Sequence, residues 1–572
     1  MRTFNLSCFM PTPTLLRRAP ALLLGAALLL NGCKNDDFLN VESKSAVTEV
    51  SAYSNETNAD LIVNDIYNNI PSSSNDPTQT LEQYADNSFC GAGWETGQSV
   101  VRAGAISPAN VPNGPSSMWR WEDNYSRIRK CNLFLQNVEK YSTNFSASWK
   151  TQRVGEVKFL RALYYTYLFT SYGGVALIDK PLDATTDPDG LFVARSTIDQ
   201  TLAFIVADCD AAAASLPTTA ARKGDGRATK GAALALKGWA QLFAASPLAN
   251  TSNDVAKWAA AAATNKQVLD LNVYSLFPDL GTFFLQENND NQEVIFNKEY
   301  IAVTAGHSKE GTYGPVNVNG VTQGWGNYQP TQSLVDDYLM SNGLPITDPA
   351  SGYDPQNPYA NREKRFYQSI LYDGAPWQSD ILTMRIGGNN QIDLNSTSDI
   401  SNTGYYGRKT LDERIPAQTS RALNASGANY VIFRLGEVLL SYAEAQNEAV
   451  GPGAGVYSAL NQLRKRAGLP DLAAGMSQSQ LRDYIRRERR IELAFEDKRW
   501  FDIRRWKITA GSTGVLNTPS MGMLITPDKA TGKLTYAKVK VFENRFFDFQ
   551  NWMPIPQEDI AKNTKLVQNA GY

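Results

Sequence analysis

The stretch from Leu481 to Trp506 reads Leu-Arg-Asp-Tyr-Ile-Arg-Arg-Glu-Arg-Arg-Ile-Glu-Leu-Ala-Phe-Glu-Asp-Lys-Arg-Trp-Phe-Asp-Ile-Arg-Arg-Trp. It contains no Gly, Pro, Ser or Thr and consists mostly of strong helix formers, so it predicts one long helix. Hydrophobic residues recur along it at three- and four-residue steps, which indicates a single buried stripe. These residues are Leu481, Tyr484, Ile485, Ile491 and Phe495.

Three glutamates of the same stretch, Glu488, Glu492 and Glu496, fall at four-residue steps and lie along one side of the predicted helix. Like charges at this spacing repel by roughly 0.2–0.5 kcal/mol per pair. Arg489 lies three residues before Glu492, and Arg499 lies three residues after Glu496. The sequence therefore places guanidinium groups where they can neutralise the row.

Two interpretations of these carboxylates compete. A glycosidase needs two carboxyl groups about 5–10 Å apart, and one of them needs a raised pKa. Crowding arginines instead lower carboxylate pKa values and keep all three glutamates ionised. We therefore expect an internal ion-pair network that clamps a helix in this stretch, and not an active site.

Composition places the chain among ordinary folded proteins. Its 572 residues are 42% hydrophobic and 20% charged, and the length allows either several domains or one large one. The formal net charge is −2, so there is no basic field that would favour nucleic acid or an anionic membrane surface.

The N-terminus predicts a lipoprotein signal peptide over residues 1–32. Arg17 and Arg18 precede an apolar run, residues 19–30, that is too short to span a bilayer. The run ends in Leu30-Asn-Gly-Cys33, which resembles a bacterial lipobox, although Asn31 stands where a small residue is usual. An ordinary signal peptide with a coincidental cysteine is the alternative.

Cleavage before Cys33 would leave a lipid-modified cysteine and a tether over residues 33–57. The mature chain would then carry 52 basic and 57 acidic residues, a net charge of −5, so lipid chains and not charge would hold it to its membrane. Lys34-Asn-Asp-Asp37 resembles the surface-export signal of Bacteroidetes lipoproteins. We therefore expect a lipid-anchored protein of the outer membrane that faces the cell surface.

Residues that support catalysis or metal binding are scarce. Apart from Cys8 and Cys33, only Cys90, Cys131 and Cys209 remain, and none belongs to a Cys-x-x-Cys pair. His307 is the single histidine, and no nucleophile, zinc or phosphate-loop motif accompanies it. The loop Asp183–Asp189 supplies oxygen atoms but misses EF-hand spacing, so it reads as a solvated turn, with calcium as the alternative. We predict no enzyme activity, no cofactor and no metal.

The hydrophobic pattern predicts a mainly α-helical chain. Residues 58–275 read as helices joined by polar loops, and they include a helix from Val154 to Tyr172 followed by a short strand, Val175–Ile178. Thr229–Ser246 and Asp254–Leu269 predict an antiparallel hairpin. Two further helices, Phe433–Glu448 and Gly455–Ala467, predict another, and such pairs resemble tetratricopeptide repeats.

Between these hairpins the helical period fades. Residues 276–429 are rich in Asn, Asp, Gly, Thr and Pro, and we interpret them as a loop-rich ligand-binding lobe with a few short strands, such as Glu293–Phe296. Residues 430–572 return to helices and end in a tail of mixed structure. Three regions of the mature chain are thus predicted: 58–275, 276–429 and 430–572.

Several stretches, in this order, resemble the SusD/RagB family of outer-membrane nutrient-binding lipoproteins. Each motif is weak alone, but together they cover nearly the whole mature chain. Ala570 departs from the pattern, because the family most often has Pro there. The stretches are Trp121-x3-Tyr125-x2-Ile128-x3-Asn132, Glu156–Tyr165, Tyr172–Val175, Gly226–Leu236, Asn291–Ile295, Arg434–Ala445, Leu463–Leu469, Leu481–Trp506, Pro554–Pro556 and Gln568–Tyr572.

The resemblance implies a SusD-like fold in which four tetratricopeptide-like pairs support a loop-rich face. It implies a surface protein that binds oligosaccharides, usually without catalysis, and hands them to a TonB-dependent barrel transporter of the SusC type. A peptide-binding lid of a related transporter is one alternative. A surface glycan hydrolase is another.

Flat aromatic rings stack on the apolar faces of sugar rings, while amides and charged groups meet the hydroxyls. Aromatic residues in polar, Gly-rich loops are therefore the candidates for ligand contact, since burial is less expected there. Loops at 91–97, 320–330 and 373–377 supply them. The predicted ligand-binding residues are Trp94, Trp325, Asn327, Tyr328 and Trp377.

Overall fold

The computed structural model describes residues 48–76, 80–92, 97–220, 224–394 and 401–572. The chain divides into two units, Met1–Ala52 and Tyr53–Tyr572. Within the described part of the first unit lies one short helix, α1, and the other elements belong to the second unit. Cys33 and the predicted signal peptide and lipobox lie outside the described residues.

Helices dominate the described part of the chain. The second unit has long helices in its N-terminal half, shorter ones between residues 309 and 423, and long ones again near the C-terminus. The helices are α1 Glu49–Ala52, α2 Glu56–Asn68, α3 Leu81–Tyr84, α4 Gly97–Arg102, α5 Trp121–Lys140, α6 Ala147–Tyr172, α7 Ile198–Ser215, α8 Lys230–Ala245, α9 Val255–Asp270, α10 Lys309–Tyr313, α11 Gln332–Asp337, α12 Lys364–Ser369, α13 Ala417–Leu423, α14 Leu435–Val450, α15 Ala454–Arg466, α16 Gln478–Glu492, α17 Arg499–Arg505 and α18 Gln557–Lys562.

The strands are mostly two residues long, and among the described residues they form antiparallel two-stranded pairs. The pairs are β1–β5, β2–β10, β3–β4, β6–β9, β7–β8 and β11–β12. The strands are β1 Ser88–Phe89, β2 Val294–Lys298, β3 Asn317–Val318, β4 Val321–Thr322, β5 Gln329–Pro330, β6 Ile370–Leu371, β7 Pro376–Trp377, β8 Asp380–Ile381, β9 Tyr406–Gly407, β10 Tyr430–Arg434, β11 Ser520–Pro527 and β12 Leu534–Phe542.

The mainly α-helical fold is confirmed. Neighbouring helices pack in sequence order from α5 to α9, and α9 then packs against α14, which contacts α15 and α16. The longest, α6, is almost wholly buried over its second half and ends at Gly173, whose φ of 79° lies in the left-handed region. Both predicted helix hairpins, α8–α9 and α14–α15, are present, whereas their identity as tetratricopeptide repeats stays a prediction.

One predicted strand is wrong and one is confirmed. Residues 175–178 form no strand, because the backbone carbonyls there accept hydrogen bonds from side chains. Tyr125 donates its hydroxyl to Ala176 at 2.8 Å, and the Asn132 amide donates to Ile178 at 2.9 Å. The strand predicted at Glu293–Phe296 is present as β2 and pairs with β10.

The stretch Leu481–Trp506 is two helices and not one. The first, α16, ends at Glu492, and α17 begins at Arg499. Between them, Phe495 and Asp497 have φ values of 66° and 60°, which side chains other than glycine rarely adopt. The break turns the Asp497 carboxylate toward the rest of the fold, where it meets donors that are remote in sequence.

The contacts of Asp497 explain why the break is stable. Its carboxylate accepts the Leu81 N–H at 2.8 Å and the Tyr430 hydroxyl at 3.0 Å. Its own N–H donates to the Glu82 carboxylate at 3.0 Å. These buried hydrogen bonds join the break to the beginning of α3 and to β10, and they offset the strained backbone.

The expected ion-pair network is present and buried. Arg365 lies 2.6 Å from the Glu488 carboxylate and 3.0 Å from that of Glu492. Arg434 lies 2.9 Å from Glu492 and 2.6 Å from Glu496. The network joins α16 and the break to α12 and β10, so it locks the scaffold to the loop-rich lobe.

The predicted local partners of the glutamates are wrong. Arg489 pairs with Asp502 at 2.7 Å, and Arg499 pairs with Asp86 at 2.8 Å. The partners come from remote segments, because the stripe of glutamates faces inward, toward other elements. Burial alone would raise the pKa of Glu492, but the surrounding arginines, Arg466 first, lower it well below its ordinary range. That side chain is therefore ionised, as an ion-pair clamp requires.

Candidate functional site

Two loops that are far apart in sequence meet through the short strands β1 and β5. Ser88 pairs with Pro330, and Phe89 pairs with Gln329, in antiparallel register. The Gln329 N–H also donates to the Ser88 hydroxyl at 3.1 Å. The beginning of the first long loop is thus placed beside the end of the Trp325 loop, although about 240 residues separate them.

A small cavity of about 210 Å³ opens beside this pair of strands. The rings of Phe89 and Phe542, both half-buried, line it with centroids 6.1 Å apart. The other described lining residues are small, polar or aliphatic, and none of them is a carboxylate: Cys90, Gly91, Ala92, Gln98, Ser99, Arg102, Leu394, Asn402 and Val541.

Hydrogen bonds fix the walls of the cavity. The Gln98 side chain accepts the Cys90 N–H at 2.7 Å and donates to the Cys90 carbonyl at 3.0 Å. The buried Arg102 guanidinium donates to the Ser88 carbonyl at 2.5 Å and to the Ser520 hydroxyl at 2.6 Å. The aromatic lining is therefore preorganised by the fold, which lowers the ordering cost of binding.

Trp325 lies on the adjoining loop and stays half-buried. Its backbone N–H donates to the Gly311 carbonyl at 3.0 Å, and the Arg421 guanidinium lies 5.4 Å from its ring centroid. Arg421 also donates to the Gly311 carbonyl at 2.9 Å, so the same carbonyl anchors the Trp325 backbone and the cation beside its ring. The half-buried indole therefore lies beside an anchored guanidinium.

A side-chain relay connects the Trp325 loop to the cavity wall. Gln329 donates its amide to the Gly326 carbonyl at 2.9 Å and accepts the Asn402 N–H at 2.9 Å. Asn402 itself lines the cavity. Buried hydrogen bonds thus join residues 88–92, 97–102, 320–330, 401–402 and 541–542 into one cluster of segments, which we call the loop face.

Three of the predicted ligand-binding residues are core residues in this structure. Tyr328 is 1% exposed, and its ring centroid lies 4.6 Å from that of Phe495. Trp377 is 2% exposed in the same hydrophobic cluster. Asn327 is 0% exposed, and its backbone carbonyl accepts the Gln83 amide at 2.7 Å. Such side chains offer no surface to a ligand, so the loop pattern misplaced them.

Of the remaining candidates, Trp325 lies on the loop face and Trp94 lies outside the described residues. Sequence reasoning missed Phe89, Phe542 and Arg421. Nothing in the local sequence marks the two phenylalanines, because strand pairing and the fold of the β11–β12 hairpin bring together residues more than 450 positions apart.

The described residues around the Phe89–Phe542 cavity do not support catalysis. Glycoside hydrolysis needs two carboxyl groups, and the described residues that line the cavity include none. His307 is buried, its Nε2 lies 2.9 Å from the Ala428 carbonyl, and burial lowers its pKa to about 4. Within the described ranges, no group of acidic, histidine or cysteine side chains could hold a metal ion.

A helical scaffold that carries an aromatic-lined, preorganised loop face defines a binding protein. Comparison with known families agrees. A model described as "SusD family" matches residues 292–572, and one described as "Starch-binding associating with outer membrane" matches residues 37–238. The chain belongs to the SusD/RagB family, which is a family of binding proteins and not of enzymes.

Individual relatives give the same result. A SusD-like protein of Formosa agariphila is 23% identical over 415 residues, which are 68% of this chain and 70% of that protein. A solved SusD-like protein of Bacteroides fragilis is 29% identical, with a TM-score of 0.75, and the match covers 92% of this chain and 99% of that one. A SusD-like carbohydrate-binding protein of the same species is 25% identical, with a TM-score of 0.75 and coverage of 90% and 99%.

The described helices do not include one that is both long and apolar enough to cross a membrane.

Proposed function

We propose that the protein captures oligosaccharides on its loop face and delivers them to a SusC-like TonB-dependent transporter of the outer membrane. The observation that carries this proposal is the pairing of β1 with β5. This pairing joins the loop that carries the half-buried Trp325 ring to the wall of the Phe89–Phe542 cavity, which supports a shared role for the two. Family membership supports the same function, since a matched model is described as starch-binding.

The chemistry of the loop face suits hydroxyl-rich ligands. A half-buried indole and two half-buried phenyl rings provide apolar planes for stacking on sugar faces. Backbone and amide groups between them provide hydrogen bonds for hydroxyls. Trp94, which follows the cavity residues Gly91 and Ala92 in sequence, remains a predicted contact of the same ligand.

The membrane location and the division into regions belong to the proposal. A lipid anchor at Cys33 and a tether over residues 33–57 would hold the protein at the outer membrane, facing outward. Residues 58–275 and 430–572 would provide the scaffold and 276–429 the ligand-binding lobe. The description "associating with outer membrane" of the family model supports the location.

The test of binding uses the full-length chain in detergent and a panel of neutral oligosaccharides, measured by calorimetry. For the glycan that binds, Trp325→Ala weakens affinity at least about tenfold, as loss of a stacked aromatic anchor does. Phe192→Ala, which removes a ring that is 40% exposed on another segment, is the matched control and leaves affinity unchanged.

Other outcomes of the same experiment discriminate between functions. Binding of a peptide library without binding of any glycan would favour the peptide-binding lid. New reducing ends in the glycan samples would identify a hydrolase. Delivery is tested separately by co-purification of the tagged protein with an outer-membrane barrel from its own cells, and absence of a barrel partner would contradict that part.

A further inference from the structure

A second cleft lies in the loop-rich lobe, and it shares none of its described lining residues with the Phe89–Phe542 cavity. Its volume is about 590 Å³, within the size range of small-molecule sites. Its walls come from residues 279–287, from α12 and from residues 408–414. We propose that this cleft is a second binding site, for neutral oligosaccharides, and the proposal rests on the glycan-binding function proposed above.

The apolar part of the cleft has a fixed aromatic wall. Tyr367 donates its hydroxyl to the Tyr359 carbonyl at 2.7 Å and accepts the Arg362 N–H at 3.1 Å. Both hydrogen bonds involve the phenolic oxygen, so the half-buried ring keeps one orientation. Leu285 and Leu411 add apolar lining next to it. A rigid ring beside aliphatic side chains is a suitable surface for one sugar face.

The charged groups of the cleft are paired with one another. The described lining has three cations, each paired with a carboxylate of the same cleft, and four carboxylates, so its net charge is −1 and an anionic ligand gains no attraction there. A ligand with many hydroxyls can instead donate to carboxylates and accept from guanidinium groups. The ion pairs are Lys364–Asp279 at 3.1 Å, Arg408–Glu413 at 2.7 Å and Arg414–Glu287 at 2.7 Å.

Hydrogen-bonding capacity remains after these pairs form. The two Glu287 oxygens each accept one N–H of Arg414, at 2.7 Å, and a carboxylate has about four acceptor positions. Both side chains keep half or more of their surface exposed, 50% for Glu287 and 56% for Arg414. The ligand can therefore reach these groups without breaking the pair.

The cleft is also preformed. The Glu287–Arg414 pair joins two walls that are 127 residues apart, and Gln368 donates its amide to Asp279 at 2.5 Å from the third wall. Segments that converge through side-chain bonds lose less conformational entropy when a ligand arrives. The geometry thus combines an aromatic wall, paired charged groups without excess positive charge and fixed walls, which together favour an uncharged sugar over an anionic one.

The experiment measures stoichiometry by calorimetry on the full-length chain in detergent. The probes are heptasaccharides of β-1,3-glucan, α-1,4-glucan, β-1,4-mannan and β-1,4-xylan, with hexagalacturonate as the charged comparison. For the neutral glycan that binds, the wild type takes two ligands per chain. Trp325→Ala binds one ligand per chain, and the cleft variant Arg414→Ala/Gln368→Ala also binds one. A chain that combines all three substitutions binds none.

A second cleft variant separates loss of the binding site from loss of the fold. Gly281→Trp fills the cleft from a position where the three atoms nearest to a new Cβ, at 3.0–3.3 Å, all belong to the flexible Gln368 side chain. We expect it also to take one ligand, with circular dichroism unchanged. One ligand in the wild type, or two in both cleft variants, would overturn the second site and leave the first intact. Stronger binding of hexagalacturonate at the cleft would overturn the neutral class, and no binding by the wild type would overturn both proposals.

Discussion

Arg434 donates two hydrogen bonds to the carboxylate of Glu496, at 2.6 and 2.7 Å, although 62 residues separate them. The same guanidinium lies 2.7 Å from Glu293 and 2.9 Å from Glu492. All four side chains are buried. One cation therefore holds three carboxylates from two other segments, and it joins β10 to the residue before β2, to the end of α16 and to the break that follows.

Replacing Arg434 with Met should destabilise the fold by about 3–5 kcal/mol, because three buried carboxylates lose a common partner. The measurement is the free energy of unfolding in urea at pH 7. Arg414→Met is the matched control, since its pair with Glu287 is about half exposed and should cost less than about 1 kcal/mol. Equal effects of the two substitutions would contradict the clamp.

Stability should decrease in acid through Glu444. Burial acts to raise its pKa, but the Arg505 guanidinium lowers it, and the result is about 2 against an ordinary 4.5. Because the folded pKa is the lower one, the contribution is complete above about pH 4.5 and is lost as the pH falls toward 2. When this contribution is fully lost, the free energy of unfolding decreases by about 3 kcal/mol.

The measurement is the difference in unfolding free energy between the wild type and Glu444→Gln at several pH values. Other buried carboxylates, such as Glu492, titrate in both proteins, so the difference isolates Glu444. We expect the gap to shrink as the pH falls from 4.5 to 2. A gap that stays constant would show that Glu444 does not titrate as described.

The break between α16 and α17 should depend on Asp497. Alanine would keep the unfavourable φ of 60° and leave the Leu81 N–H and the Tyr430 hydroxyl without their acceptor, at a cost of about 3 kcal/mol. Asparagine tolerates this backbone and can meet both groups, so its cost should be smaller. Thermal unfolding of the two variants gives the comparison.

Asn424→Ala provides the control for backbone strain alone. Asn424 has a φ of 49° at the exposed end of α13, so alanine there should cost about 1 kcal/mol. If Asp497→Ala costs no more than Asn424→Ala, the hydrogen bonds of Asp497 contribute nothing and our explanation of the break is wrong.

The lipid anchor is tested at Cys33. Cys33→Ser should move the protein from the membrane fraction to the soluble one and abolish incorporation of labelled fatty acid, since lipid chains would provide the attachment. Cys8→Ser, inside the predicted signal peptide, should change neither result. Membrane retention of the Cys33 variant would contradict lipidation at this residue.

The helical class of the protein follows from the sequence alone. The helices α8, α9, α14 and α15 lie within a few residues of their predicted bounds, and α6 ends at the predicted Tyr172 but begins earlier than predicted, at Ala147. Their hydrophobic stripes and end signals act over one or two turns, so local chemistry is enough. The ordered motifs gave the SusD/RagB family for the same reason, because they can be read in sequence order without a fold.

The sequence predicted the candidate site only in part. A tryptophan in a Gly-rich loop is a local signal, and it predicts Trp325, whose side chain is half-buried in the structure. It could not distinguish Trp325 from Trp377 and Tyr328, because loop composition does not report which ring the rest of the chain covers. Burial is a property of the packed molecule, and the core cluster that covers those two rings includes residues from Tyr313 to Ile525.

For the stretch Leu481–Trp506, too, some properties follow from the sequence and others only from the tertiary structure. Its sequence determined that most of it forms helix, that its glutamates fall on one face, and that these glutamates take part in an ion-pair network. Only the tertiary structure decided that Phe495 and Asp497 break the helix, and that Arg365 and Arg434 are the partners. The physical reason is range: helix propensity acts between neighbours, whereas partners for buried charges can come from any segment that packs against them.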